Sequence, residues 1–352
     1  MEKVKNIIEK IKNKRNRTIF VGISLILILI VVIVLICIYI NKEKPQKYVV
    51  YDGENIKESK YPGYQELIEE LKEEHPNWTF TLFYTRLDWN EVIANEGHSS
   101  DRINPLNLIP DSSKYPEDWK CEIDGDKTFD NGTWLCASNK AIAYQMDPRN
   151  ILKEEDIFQF KTLEYVENAT TIEGMKEITN DTFLEGDEIS RVLIEAGKNV
   201  NVDPYFIASR LIQEQGRKGT VLSQGYDYKG KTIYNPFNMN ASGNSQDEII
   251  ENAANYAYEQ GWDTLEKGLL GGVELIKKGY IDKGQNTLYL QKFDVVNQDG
   301  KLYTNQYMQN LLAPMSEASN MLEIYEASKT VDFNFNFIIP LYENMPKEAS
   351  EK

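Results

Sequence analysis

From Thr18 to Ile40 the chain runs TIFVGISLILILIVVIVLICIYI, without one charged residue. As a helix, at about 1.5 Å per residue, such a run covers roughly 30 Å, the thickness of a bilayer's hydrocarbon core. Before it stand Lys3, Lys5, Lys10, Lys12, Lys14, Arg15 and Arg17 against only Glu2 and Glu9. Cationic residues stay on the cytoplasmic side, so the N-terminus is expected inside and everything after Asn41 outside. A cleaved signal peptide would carry a shorter apolar run, roughly 7–15 residues, ending in a small-residue cleavage site. Here the run ends Cys37-Ile-Tyr-Ile-Asn-Lys42 with no such site. The expectation is a retained single-pass anchor over residues 18–40, in contact with membrane lipid and open to a membrane-protein partner.

That topology divides the charge. The chain has 39 basic and 55 acidic residues; removing the first seventeen positions leaves 32 basic against 53 acidic, a net charge of −21. An outer part this acidic excludes nucleic acid as a partner, because phosphate binding needs basic patches. Of three cysteines, Cys37 lies in the apolar run, while Cys121 and Cys136 fall where a disulfide persists. They are a disulfide candidate, with two buried thiols as the alternative.

Residues 41–60 are polar and aperiodic and are expected to link the membrane segment to a folded part. Leu67, Ile68 and Leu71 at helical spacing predict a helix stopped by Pro76. Trp78 to Leu87 alternates and predicts a strand. Residues 99–139, rich in Asp, Asn, Ser, Gly and Pro, are expected to be irregular. Asp124, Asp126 and Asp130 miss the calcium-loop spacing, because Phe129 stands where the glycine belongs. Further on the pattern turns helical. Ile189, Val192, Leu193, Ala196 and Val200 share one face, and Asp203-Pro204 starts a helix through Gln215 that Gly216 should stop. Helices are also expected at 247–260, 264–278 and 306–328, the last kinked or divided by Pro314. The domain boundaries follow: a basic segment 1–17, the membrane helix 18–40, a linker 41–60, a mixed lobe 61–178, a helical domain 179–330 and a C-terminal tail 331–352.

Several chemistries drop out. With only His75 and His98 and no HExxH, a zincin metal site is excluded, and neither histidine sits in a triad motif. Gly268, Gly271 and Gly272 fall inside a helical pattern and suggest packing, not a phosphate loop. Neither metal nor organic cofactor is implied. Carboxylates, amides and aromatic rings remain abundant, a set that suits carbohydrate. Glu214 is the acid candidate, because the negative pole of its own helix favours the protonated form there.

The motifs sharpen this. Ala208-Ser-Arg-Leu-Ile-Gln-Glu-Gln-Gly216, Tyr234-Asn-Pro-Phe-Asn-Met239, Gly261-Trp-Asp-Thr264, Gly284-Gln-Asn-Thr-Leu-Tyr-Leu-Gln-Lys-Phe293 and Tyr303-Thr-Asn-Gln-Tyr-Met308 follow in order. This stretch resembles the bacterial peptidoglycan N-acetylglucosaminidases of glycoside hydrolase family 73, especially their membrane-anchored Gram-positive branch. His75-Pro-Asn-Trp78, Leu87-Asp-Trp89, Gly132-Thr-Trp134 and Asp147-Pro-Arg-Asn150 resemble the lobe that precedes the catalytic domain in that branch. The resemblance implies a mainly α, lysozyme-like α+β catalytic domain behind a smaller mixed α/β lobe. It implies cleavage of the β-1,4 bond after N-acetylglucosamine in peptidoglycan glycan strands, with Glu214 as the catalytic acid.

No second glutamate stands between Glu214 and Asn235, which leaves two mechanisms open: Asp227, Asp247 or Glu248 activates water, or the substrate's own acetamido group attacks C1. Tyr234, Asn235, Phe237 and Asn238 are expected to border the substrate cleft, with core packing as the alternative for Phe237. Trp262 is either a sugar platform or a packing anchor. Tyr303 and Tyr307, one helical turn apart, either face substrate together or pack in the core. Two rival functions stand beside this one: a muramidase or lytic transglycosylase on the same fold, and a non-catalytic peptidoglycan-binding scaffold.

Overall fold

Thr79–Asp88 is the strand on which the rest is laid. It pairs antiparallel with Lys47–Val50 and parallel with Asn336–Glu343. A parallel pair needs a crossover, and here the crossover is everything between Asp88 and Asn336. Residues 331–352, expected as a tail, therefore carry a strand whose interior is buried against the middle of the sheet. Residues 47–50, expected within an unstructured linker, form the opposite edge. Both misreadings share one cause: strand pairing is decided by distant partners, which short-range patterns do not reveal.

The computed structural model describes residues 45–129, 132–243, 245–298 and 300–352. The expected membrane segment at 18–40, its basic flank 1–17 and residues 41–44 of the linker lie outside the described residues. Among the described residues, no helix is long and apolar enough to cross a membrane. Residues 46–352 form one compact unit.

Local signals become elements close to where the sequence puts them. The helix Tyr64–Glu74 buries Tyr64, Ile68 and Leu71. Asp88 caps Trp89–Glu96 by accepting from the Asn90 and Glu91 amides. The region expected to be irregular contains a small sheet of Leu108–Pro110, Trp134–Cys136 and Thr128–Phe129. A disulfide joins Cys121 to Cys136 beside it, with Cα atoms 5.3 Å apart. Helices follow at Ile172–Thr179, Asp187–Val200, Pro204–Gln215, Gln246–Gln260, Leu265–Gly279, Leu288–Phe293 and Ala313–Ala327. The last begins seven residues later than expected: Pro314 sits in its first turn, where its missing N–H has no partner to lose.

The Pro204–Gln215 helix lies at the centre, packed on Asp187–Val200, Ile172–Thr179 and Ala313–Ala327. Its first turn is fixed by Asp203, which accepts from Tyr205 N at 2.8 Å and Phe206 N at 3.4 Å. The other Asp203 oxygen accepts from Lys161 Nζ and Tyr325 Oη, both at 2.7 Å. Lys161 and Asp203 are fully buried, and the ammonium also lies over the Phe335 ring at 4.7 Å. Removing one member of a buried pair leaves its partner's charge without compensation. Asp203→Ala is therefore expected to lower the unfolding free energy by about 3–5 kcal/mol in urea denaturation. A loss of only the ~1 kcal/mol typical of a surface cap would contradict this account.

Candidate active site

Gly216, at φ 67°, ends the central helix in a backbone region that few other residues adopt. The chain then turns through Val221–Gln224, runs out and back as the hairpin Tyr226–Tyr228 and Lys231–Ile233, and returns at Asn235. Between the helix end and this return lies a cleft of about 410 Å³, lined by Glu214, Val221, Phe237, Asn238, Gln246 and Ile250 among others. Among the described residues, Glu214 is the one carboxylate in its lining. Asn238, at φ 51°, donates its side-chain amide to the Glu214 carbonyl at 3.3 Å, tying the return to the helix end.

The Glu214 carboxylate oxygen Oε1 accepts a hydrogen bond from the Tyr307 hydroxyl. Burial holds that hydroxyl far above the ordinary tyrosine range, with Arg210 opposing and Glu214 adding to the shift. Tyr307 thus remains a donor throughout the physiological range. Its ring rests on the guanidinium of Arg210, 3.4 Å from the ring centre. Arg210 precedes Glu214 by one helical turn, so both project from the same face of the helix. It is 1% exposed, donates to Glu317 Oε2 from Nη2 at 3.1 Å and Nε at 3.3 Å, and reaches Gln291 at 3.0 Å. Burial raises the Glu317 carboxyl, while Arg210 pulls it back down. A buried ion pair thus forms the floor on which Tyr307 and Glu214 meet.

The other expected site residues divide. Phe237 and Asn238 line the cleft. Asn235 does not. It is completely buried; its amide donates to the carbonyls of Met239 and Ala253, and its carbonyl accepts from Met239 N, so the turn consumes it. Trp262 is also buried, edge-on to Tyr256 and against Gly271, where any side chain would collide with the indole. It is a packing anchor. Tyr234 takes its place through a backbone bond to the Trp262 carbonyl and does not line the cleft.

Tyr303 and Tyr307 do not share a helical face, because residues 303–310 are not helical. Tyr303, at φ 58°, packs partly buried against the core, and only Tyr307 reaches Glu214. Asp227 lies exposed on the hairpin and accepts from Thr232 Oγ1 at 2.9 Å, away from the cleft lining. Asp247 is exposed in the first turn of its helix; its neighbour Gln246 lines the cleft instead.

Val221, Gln246 and Ile250 were not foreseen, since nothing local distinguishes a cleft wall from other exposed or half-buried residues. Arg210 was legible as the residue four before Glu214, but its partner Glu317 is a hundred positions away.

No family model matches the chain. A β-N-acetylglucosaminidase of Bacillus subtilis (strain 168) is 26% identical over 250 residues, covering 69% of this chain and 27% of that protein. A bifunctional autolysin of Staphylococcus aureus is 23% identical over 172 residues, covering 46% of this chain and 13% of the relative. Among solved structures, glucosaminidase B of S. aureus superposes with a TM-score of 0.55 at 20% identity, over 78% of this chain and 97% of that one. The two share a fold. The chain spans about a quarter or less of the length of the two sequence relatives.

The buried floor gives a stability test. Arg210→Leu should destabilise the protein by about 3–5 kcal/mol by stranding Glu317. Adding Glu317→Leu should restore most of that loss, read as a shift in denaturation midpoint. A double variant no more stable than the single would show that the pair is not the source.

Proposed function

We propose that this protein is a glycoside hydrolase that cleaves peptidoglycan glycan strands after N-acetylglucosamine, with Glu214 as the proton donor. The observation that carries this reading is the union of Glu214 and Tyr307: one carboxyl in a sugar-sized cleft, gripped by a hydroxyl that stays protonated. The names of the B. subtilis and S. aureus relatives support the substrate, as does the fold shared with glucosaminidase B.

In the proposed reaction the protonated Glu214 gives its proton to the glycosidic oxygen as the C1–O bond breaks. The Tyr307 hydroxyl donates to the carboxylate left behind and so stabilises it. Charge-assisted bonds of this kind strengthen as the proton departs. Among the described residues no second carboxylate lines the cleft, which favours substrate assistance: the 2-acetamido oxygen attacks C1 from the opposite face and forms an oxazolinium ion. Water then adds to C1, its proton returns to Glu214, and the sugar is released with retained configuration.

We place this chemistry next to the membrane. The apolar run at 18–40 and its basic flank support an anchor with the N-terminus inside, and a short linker confines the enzyme to glycan near the bilayer. Newly made strands would be its natural substrate, and a membrane protein bound to the anchor remains an open partner.

Two sets of variants test the reading by muropeptide release from purified peptidoglycan. Glu214→Gln should lower the rate by about 10²–10⁴-fold, the range for a lost general acid, with an unchanged melting temperature. Asp227→Asn and Asp247→Asn should each keep most of the activity. Collapse of either aspartate variant would point to a protein base, and an active Glu214→Gln would remove the reading altogether.

A further inference from the structure

Tyr307 stands in an irregular segment, so something other than helical hydrogen bonding must hold it. Its own amide donates to the Gln291 carbonyl at 2.9 Å. The residues on either side are held by two buried charged groups, Glu96 on one side and Lys292 on the other. Gln306 donates its side-chain amide to Glu96, at 2.8 Å to one oxygen and 2.7 Å to the other. Met308 offers its carbonyl to Lys292 Nζ at 2.8 Å, and the same ammonium reaches the Leu106 carbonyl at 3.3 Å.

Glu96 closes the helix Trp89–Glu96, more than two hundred residues before Tyr307 in the chain, and is 0% exposed; Lys292 is 2% exposed. Asn107 steadies Glu96 from a third side at 2.9 Å. The backbone beyond is pinned to the same lobe: Leu108 N donates to the Gln309 carbonyl at 2.8 Å and Leu311 N to the Leu108 carbonyl at 2.9 Å.

We propose that Glu96 is a positioning residue for the reaction: together with Lys292 it clamps the residues flanking Tyr307, so that the amino-terminal lobe sets the contact between the Tyr307 hydroxyl and Glu214. The proposal rests on the hydrolase reading above. A pair that merely glued two lobes together would not need to bond the immediate neighbours of the tyrosine on both sides. Catalytic geometry is sensitive to such bracing, since a displacement of about 1 Å can cost on the order of a hundredfold in rate.

The clamp also titrates in a useful range. Burial raises Glu96 to about 7, against the pull of Lys292, Asn107 and Gln306, with Asp294 adding to the rise. Tyr303 and Tyr342 also face it, from the same segment and from the strand Asn336–Glu343. Burial lowers Lys292 to about 8, with Glu96 opposing. As pH falls through about 7, Glu96 takes up a proton, its attraction to Lys292 is lost and the charge-assisted bonds to Gln306 weaken. The clamp is therefore fully charged between about pH 7 and about pH 8; it loosens below that window as Glu96 takes up a proton and above it as Lys292 gives one up.

The experiment compares the full-length chain with the double variant Glu96→Gln/Lys292→Met, which removes both charges and strands neither. Its melting temperature is checked first, and Lys292→Met/Glu96→Leu replaces it if the first does not fold. On soluble glycan strands, kcat should fall about tenfold with KM within about twofold, and the acidic limb near pH 7 should vanish. Independently of any cleavage, hydrogen exchange at the Tyr307 amide should accelerate about tenfold or more, while the Pro204–Gln215 helix is unchanged. Unchanged exchange at Tyr307 overturns the clamp whether or not glycan is cut. Inactivity of the unmodified chain would instead remove the hydrolase reading while leaving the exchange result to judge the clamp.

Discussion

A guanidinium sealed from solvent is the constraint on which the site depends. Arg210 cannot be buried without a counter-charge, and Glu317 supplies it from the Ala313–Ala327 helix. That pairing fixes the separation of two helices, and the flat upper side of the guanidinium then offers a seat for the Tyr307 ring. Glu214, one turn further along, meets the hydroxyl at the edge of that ring. An unpaired charge at Arg210 would be far more expensive than any of the hydrogen bonds above it. The floor therefore dictates the cleft, and not the reverse.

The central helix is held at its other end by the same kind of device. Asp203 serves both as helix cap and as counter-ion to Lys161, and Tyr325 adds a hydroxyl to the same oxygen. Tyr325 and Glu317 lie on one helix, so a single element braces both ends of the helix that carries Glu214. The strand Asn336–Glu343 follows that helix and pairs with Thr79–Asp88, which feeds directly into the helix ending at Glu96. Amino-terminal lobe, helical core and C-terminal strand are thus one mechanical unit around Glu214, and a rigid frame of this kind is what the proposed proton transfer at a fixed oxygen requires.

What the sequence made legible was local. Asp203-Pro204 and Gly216 bound the central helix because a cap, a preset φ and a left-handed stop act within a turn of themselves. The apolar faces of Tyr64–Glu74 and Asp187–Val200 follow from period alone, and Gly271 and Gly272 were recognisable as packing positions. The resemblance of motifs placed Glu214, Phe237 and Asn238 together. Asn235 was misread because an amide serves a turn as well as a sugar, and only its surroundings decide between them. Trp262 was ambiguous for the same reason. The C-terminal strand and the buried partners Glu317 and Glu96 were out of reach, since each is defined by a contact a hundred or more residues away, and the first strand by a pairing beyond the range of any local pattern. Pro314 misled by position: a proline inside an apolar pattern suggests a kink, yet here it opens the helix.

The most direct measurement is mass spectrometry of the chain ends created when the unmodified protein digests purified peptidoglycan. Protonation by Glu214 with attack by the neighbouring acetamido group predicts new reducing ends of N-acetylglucosamine, released in the β configuration. Anhydro-muramic ends, reducing muramic acid ends, or no new ends at all would contradict it.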